Sequence, residues 1–383
     1  MSSPRLSPFL LGVRCFACDR PHDPLTLLGV CAACGLPLRV DYDLAAVRAA
    51  GTFTRQALPH RVPSLWRYRE VLPLAEGDES SLVEGFTPLL PVGERVFVKD
   101  ESRNPTGSFK ARGMAVAVSV AKLLGARALS APSAGNAAGA LAAYGARAGL
   151  PVTVAMPEDT PRAFVEECRL YGADVRLVPG TISDAGKHLR EHGPAGAFDV
   201  STLREPYRIE GKKTMAYELV EQLGGRLPDV VLYPTGGGTG LVGMWKAFDE
   251  MEALGWIAPG ARPRLVSVQV EGCAPVVKAF AANAERTDPW ADPHTRAYGL
   301  RVPAPLGGFL CLRALRETRG TAVAVIEEAM ERGTRELAAR SGIDVCPEGG
   351  AAWAALGLLR SGGFVKEGDE VVVFNTGTGL KYR

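Results

Sequence analysis

Four segments of this chain hold residue types that do chemistry. The first reads Asn104-Pro105-Thr106-Gly107-Ser108-Phe109-Lys110-Ala111-Arg112-Gly113. Ser108 has the character of an N-cap, which puts Lys110 in the first turn of a helix, where the helix dipole opposes a cation. In a dry site such an amine loses its proton and becomes a nucleophile able to form a Schiff base. The second, Ser133-Ala134-Gly135-Asn136, joins a strand to a helix. Its small residues let a ligand approach the backbone, its free N–H groups favour an anion, and Asn136 adds a directed side-chain hydrogen bond. Each of these two also fits a bland role: a lysine that points to solvent, and an ordinary capped turn.

The third segment, Thr235-Gly236-Gly237-Gly238-Thr239-Gly240-Leu241, is a glycine-rich cradle that opens into a helix and suits a phosphate. It lacks the Gly-Lys-Ser/Thr ending of a nucleoside-triphosphate loop. Gly238-x-Gly240-x-x-Gly243 has the form of a dinucleotide fingerprint, but Glu271 stands about thirty residues on, too far to be the ribose-binding acid. One phosphate group on a small cofactor fits better. The fourth segment, Asn375-Thr376-Gly377-Thr378-Gly379, follows the last predicted strand and offers a neutral hydroxyl. A helix-start lysine, a one-phosphate cradle and a hydroxyl for a ring nitrogen point to pyridoxal 5'-phosphate. The lysine holds the aldehyde and the glycines hold the phosphate. A neutral partner leaves the pyridine nitrogen largely unprotonated, which tempers the electron sink and suits elimination.

A separate cluster stands near the N-terminus: Cys15-x2-Cys18 and Cys31-x2-Cys34. Two CxxC turns present four thiolates to one tetrahedral ion, the pattern of a closed structural Zn2+ site. His22 is a rival ligand, but four cysteines already complete the shell. With no open position for water, the expected role is to fold a stretch too small to build its own core. Four reduced cysteines without metal are the alternative. Cys168, Cys273, Cys311 and Cys346 are scattered and read as small buried apolar residues.

The elements that must position these loops alternate. Strands are predicted at 95–99, 128–131, 152–156, 175–178, 198–201, 230–233, 265–270 and 371–374. Helices are predicted at 108–124, 136–148, 161–171, 183–191, 211–223 and 241–254, then around 323–341 and 350–359. The alternation predicts an α/β fold with two doubly wound, mostly parallel sheets covered on both faces. In such sheets ligands bind beyond the carboxyl ends of the strands, where the polar loops fall. The stretch 281–305, with Pro289, Trp290, Pro293, Pro303 and Pro305, reads as a surface loop or an active-site cover. The aromatic and basic cluster at 65–69 reads as a packed surface segment.

Composition narrows the classes. At 383 residues, two or three domains are expected, and 46% hydrophobic with 22% charged residues is ordinary globular composition. Lys+Arg 44 against Asp+Glu 42 leaves a formal charge of +2, which argues against a general nucleic-acid binder. The apolar stretch Phe9 to Val13, broken by Gly12, is too short for a secretory signal or a membrane span. A cytoplasmic protein, with no membrane and no nucleic-acid partner, is expected.

The segments together resemble the tryptophan synthase β-like (fold type II) pyridoxal-phosphate enzymes. Asn104 to Lys110 is similar to their cofactor-lysine motif, and Glu84-Gly85-Phe86-Thr87-Pro88-Leu89 to the EGxTPL that precedes it. Thr376-Gly377-Thr378-Gly379-Leu380-Lys381-Tyr382 resembles the terminal TGxGLK of the threonine synthase branch, and Tyr207 to Thr214 its R-x-E-G-x-K-T stretch. An N-terminal zinc-ribbon-like segment also occurs in some members. The resemblance runs from about Cys15 to Tyr382. It implies that Lys110 is the Schiff-base lysine and moves the Cα proton. Asn136 would bond the cofactor's phenolic oxygen, Gly236, Gly237, Gly238, Thr239 and Gly240 would bind its phosphate, Thr376 would face the pyridine nitrogen, and Phe109 would pack near the ring. Ser133 would receive the substrate carboxylate and Arg208 a substrate phosphate. The implied reaction converts O-phosphohomoserine and water to threonine and phosphate, a lyase reaction of amino-acid biosynthesis, in a homodimer. The expected division is a zinc-ribbon-like segment at 1–40, a larger cofactor-binding lobe at 41–125 and 210–383, and a smaller α/β lobe at 126–209.

Three departures concern the substrate. Ala111 follows the lysine where the threonine synthase branch usually carries Asp, Ser-Ala-Gly-Asn-Ala stands at 133–137, and Ser201-Thr202-Leu203-Arg204-Glu205-Pro206 precedes Arg208. Ser-Phe-Lys-Ala-Arg-Gly also resembles the threonine/serine dehydratase branch. An eliminating or β-replacing enzyme on the same cofactor (a dehydratase, a diaminopropionate lyase or a cysteate-forming synthase) is therefore the alternative. A zinc-ribbon binding module on an inactive fold is the reading from another class, weakened by having only Arg14, Arg20 and Arg39 near the cysteines.

Overall fold

The structure is a computed structural model that describes residues 6–383. The chain begins with β1 (Leu10–Cys15), β2 (Pro21–His22), β3 (Leu38–Tyr42), α1 (Leu44–Ala50), β4 (Leu89–Gly93), β5 (Val96–Asp100) and α2 (Lys110–Leu123). Then come β6 (Leu129–Pro132), α3 (Asn136–Ala148), β7 (Val152–Pro157), α4 (Arg162–Leu170), β8 (Asp174–Val178), α5 (Ile182–His192), β9 (Phe198–Asp199) and α6 (Tyr207–Gln222). It ends with β10 (Val230–Pro234), α7 (Thr239–Ala253), β11 (Arg264–Val270), α8 (Pro275–Ala281), α9 (Gly308–Glu317), β12 (Thr321–Val325), α10 (Glu327–Ser341), α11 (Pro347–Ser361) and β13 (Val371–Asn375).

Internal contacts separate two units. One takes the chain to Gly85, Asn104–Thr106 and Lys110–Thr214; the other takes Phe86–Arg103, Gly107–Phe109 and Met215–Arg383. These boundaries differ from those expected from the sequence, because residues 41–85 and α2 go with the smaller sheet. The cause is α2 itself. Apart from its first residue and its last two it is buried all round, and Met114, Ala115, Val118 and Ala121 share a core with Ala138, Leu141 and Ala142 of α3.

In the first unit a four-stranded sheet, ordered β8-β7-β6-β9, is parallel throughout. Its central β7 is buried at every residue, as a parallel strand covered on both faces should be. The N-terminal strands form an antiparallel ribbon ordered β2-β1-β3, with Val13 opposite Val40 and Cys15 opposite Leu38. This ribbon does not stand alone. Val13, Leu38, Val40 and Tyr42 belong to the same apolar core as Leu129 and Tyr207.

The second unit is built on a six-stranded sheet ordered β12-β11-β10-β13-β5-β4, parallel except for β4 at one edge. Pro91 lies in that edge strand, where a missing donor is tolerated. Buried Lys99 on β5 pairs with Glu218 at 2.7 Å and donates to the Thr87 carbonyl at 2.6 Å, fixing the stretch that follows Gly85. The helix expected around 323–341 is instead β12 and α10. Thr321-Ala322-Val323-Ala324-Val325 alternates β-branched residues with alanine, and the acidic pair Glu327 and Glu328 starts the helix. Residues 282–307 carry no helix or strand. Among the described residues no helix is long and apolar enough to cross a membrane.

Candidate active site

The sequence-predicted site residues fall into two groups, each inside one unit. In the second unit, β10 feeds Thr235–Gly238 and then α7. Gly238 is the N-cap of α7 with a left-handed φ of 82°, and it brings no side chain to cap the first N–H groups of the helix, the end that favours an anion. The glycines are sterically required. A Cβ on Gly236 would collide with the Gly299 carbonyl, one on Gly238 with the Cys311 sulfur, and one on Gly240 with the Tyr233 ring. Phe109 is buried and meets Tyr233 edge-on at 6.0 Å; Tyr233 in turn meets Phe374 at 5.1 Å. The backbone N–H of Phe109 donates to the Thr376 carbonyl at 3.1 Å, and Ser108 pairs with Gly377 as an isolated antiparallel bridge. Ser108 therefore makes a strand-like backbone contact just ahead of α2. Thr376 is buried, with its hydroxyl 3.7 Å from the Cys346 sulfur.

In the first unit, Lys110 is the first residue of α2 and is half-buried. Ser133 to Asn136 lies between β6 and α3, all four residues half-buried, and the Cβ direction of Gly135 faces open space. Arg208 sits in the first turn of α6, buried to 1% exposure. Its Nη1 donates to the Val200 carbonyl at 2.8 Å, while its Nε and Nη2 are buried and have no hydrogen-bond partner. Two unsatisfied donors on a buried guanidinium are costly unless a ligand takes them.

Sequence reading missed two neighbours of Arg208. Lys212 is one turn further along α6 and fully buried. Burial, then Arg208, then Lys110 push its amine well below the usual lysine range. Glu205 caps the start of α6, accepting the Tyr207 N–H at 2.7 Å and the Arg208 N–H at 3.1 Å, and burial raises its carboxyl to about 7. The helix was predicted to start at Gly211, so the four-residue spacing of Arg208 and Lys212 did not register as one helix face. The two helices approach closely here: a Cβ on Gly113 of α2 would lie 2.9 Å from both the Arg208 carbonyl and Lys212 Cε.

The four N-terminal sulfurs also converge. Cys15 and Cys34 lie 3.5 Å apart, Cys18 and Cys31 3.7 Å, Cys18 and Cys34 3.7 Å, and all four sulfurs lie within 4.8 Å of one another. A tetrahedron with zinc–sulfur bonds of about 2.3 Å has edges of about 3.8 Å. Burial opposes ionisation of Cys31, but backbone N–H groups of Ala33 and Cys34 and the side chain of His22 outweigh it and pull the thiol down to about 6. Cys168, Cys273, Cys311 and Cys346 are buried single thiols, as expected.

Comparison with known proteins decides the family. The family described as pyridoxal-phosphate dependent enzyme matches residues 80–377. The chain belongs to that family. It is 32% identical over 378 residues to a threonine synthase of Methanosarcina acetivorans, covering 96% of this chain and 92% of that one. It is 33% identical over 380 residues to a threonine synthase of Methanocaldococcus jannaschii, with coverage of 96% and 92%. In fold it is similar to maize serine racemase, at a TM-score of 0.65 and 22% identity over 76% of this chain and 88% of that one. As a member of the family the chain uses pyridoxal phosphate, and its residues fit the group. The helix start at Gly238, which has no side-chain cap and is walled by groups that leave no room for a Cβ, suits a phosphate. Thr376 brings a hydroxyl without a charge.

Proposed function

We propose that this chain is a threonine synthase, converting O-phosphohomoserine and water to threonine and phosphate. The observation that carries the reading is the buried Arg208, with two unspent donors, on one helix face with Lys212. Serine or threonine would bring only a carboxylate, which Ser133 and the N–H groups of α3 receive in this reading, and no second anion for the Arg208 guanidinium. The relatives named threonine synthase support the same activity.

The cofactor supplies an aldehyde for the substrate amine and a ring that withdraws electrons from the substrate carbons. In this reading the N–H groups at Gly236, Gly237, Gly238, Thr239 and Gly240 bind its phosphate. Thr376 faces its ring nitrogen, Asn136 its phenolic oxygen, and Phe109 packs beside the ring. Lys110 anchors the aldehyde in the resting enzyme and moves protons at Cα, Cβ and Cγ. Ser133 and the N–H groups of α3 receive the substrate carboxylate. Arg208 holds the phosphate ester. The Cγ–O bond breaks with its electron pair going to phosphate. The hydroxyl of water then ends on Cβ, Cβ gives up one hydrogen, and Cγ gains one, so atoms balance. The four cysteine thiolates hold one zinc ion with no catalytic part.

Purified protein supplied with pyridoxal phosphate and O-phosphohomoserine should release phosphate and threonine in equal amounts. Lys110→Ala should abolish both, together with the visible absorbance of the bound cofactor. Turnover of threonine or serine to a keto acid, with no phosphate released from O-phosphohomoserine, would overturn the reading in favour of a dehydratase.

A further inference from the structure

Lys212 has no part in the reaction as described so far, yet it is fully buried beside groups that do. A lysine amine in such a place must shed its proton or meet an anion. The charged groups acting on it are Arg208 on its own helix, Lys110 at the start of α2, and Glu205 in the turn before α6. Arg208 and Lys110 are cations, and burial biases the Glu205 carboxyl toward its neutral form. Positive charge is therefore in excess around this one face of α6. Geometry keeps the lysine there. Gly113 offers α6 a bare backbone, and the Lys212 stem lies in the space a side chain would fill. Arg208, one turn back, has its Nε and Nη2 still to be satisfied.

We propose that Lys212 is a second active-site amine, which joins Arg208 in seating the doubly charged leaving group of the substrate and so selects a phosphate ester over a neutral or singly charged tail. This rests on the threonine synthase reading and names a residue that sets its specificity. Two cations answer the two charges of a phosphate monoester. Burial and the neighbouring cations bias the amine toward its neutral form in the empty site, and an arriving dianion favours its protonated form, so the added charge is compensated when the site fills. Arg208 alone would leave one charge of the ester unmatched.

Inorganic phosphate is the probe, titrated calorimetrically into holoenzyme in buffers of different ionisation enthalpy. Wild type should bind phosphate with uptake of a proton. Lys212→Gln should keep the visible cofactor band, lose that proton uptake, and bind phosphate roughly tenfold to a hundredfold more weakly, the loss expected for a charge-assisted contact. Lys212→Arg, which restores charge, should recover most of the affinity but not the proton uptake. It also serves as the second variant if the glutamine form is poorly folded. Unchanged phosphate affinity and proton uptake in Lys212→Gln would overturn the proposal, even if the enzyme turns over O-phosphohomoserine. Because the titration needs no turnover, weakened phosphate binding in Lys212→Gln would uphold the anion seat even if O-phosphohomoserine proved not to be a substrate.

Discussion

Tyr42 donates its phenolic hydrogen to Glu210 at 2.9 Å, joining the last strand of the cysteine ribbon to the helix that carries Arg208 and Lys212. Lys213 completes the knot: its amine lies 2.6 Å from the same carboxylate oxygen and 4.1 Å from the centre of the Tyr42 ring. All three side chains are buried. The Glu and second Lys of the R-x-E-G-x-K-T stretch therefore work as structure, while the Arg and first Lys of the same stretch face the proposed anion seat. Tyr42→Phe should remove one hydrogen bond to a buried carboxylate and destabilise the fold by about 2 kcal/mol. Urea denaturation of the holoenzyme measures this, and a loss under about 0.5 kcal/mol would mean the contact is not made.

The ribbon's sulfurs predict a second outcome. Stripping the metal with a chelator, or substituting Cys31→Ser, removes the tie between the two CxxC turns. Limited proteolysis should then cut within residues 16–37. The visible cofactor band should persist, because Lys110 and the glycine cradle lie outside the ribbon. Metal analysis should give about one zinc per chain before treatment. Full protection from protease after removal would show that the shared apolar core alone holds the ribbon.

How much of this was legible from the amino acids depends on whether a signal was local. The glycine cradle, Lys110 and the paired CxxC turns are contiguous motifs, and the strand and helix alternation follows periodicity within short windows, so these emerged from the letters alone. What stayed hidden depends on distant neighbours. Nothing in the segment of Ser108 reveals its backbone bridge to Gly377. Lys212 was overlooked because Pro206 and Glu205 resemble the end of a loop, whereas the Glu205 carboxylate starts the helix at Tyr207. The division into units was misplaced because the partner of α2 is α3, a choice made by packing of small side chains that no local pattern encodes.

The proposed phosphate cradle makes a third prediction. Gly238→Ala adds a Cβ that collides with the Cys311 sulfur and also forces alanine to φ 82°. Cofactor affinity should fall roughly tenfold or more, read by reconstituting apoprotein with graded pyridoxal phosphate. Adding Cys311→Ala should relieve the collision but not the backbone strain of about 1–2 kcal/mol, so the double variant should recover only part of the affinity. Complete recovery would mean that the left-handed turn carries no strain; no loss in the single variant would mean that the loop is not the cradle.

Glu205 gives the pH dependence its sign. Burial raises its carboxyl from 4.5 to about 7, against the pull of Arg208 and of the two N–H groups it accepts. Between those two values the folded state binds more protons than the unfolded chain, so this group's contribution to stability is full below about 4.5 and is lost as pH rises through about 7. The span corresponds to roughly 3 kcal/mol. Glu205→Gln keeps an acceptor for the α6 N–H groups but cannot ionise. At pH 5, where wild-type Glu205 is mostly protonated, the variant should match wild type closely. By pH 8 it should be the more stable of the two, by up to that amount. Urea midpoints of both proteins at the two pH values test this. A gap that stays constant, or that widens in favour of wild type as pH rises, would show that the hydrogen bonds and Arg208 outweigh burial and that Glu205 stays ionised at the foot of α6.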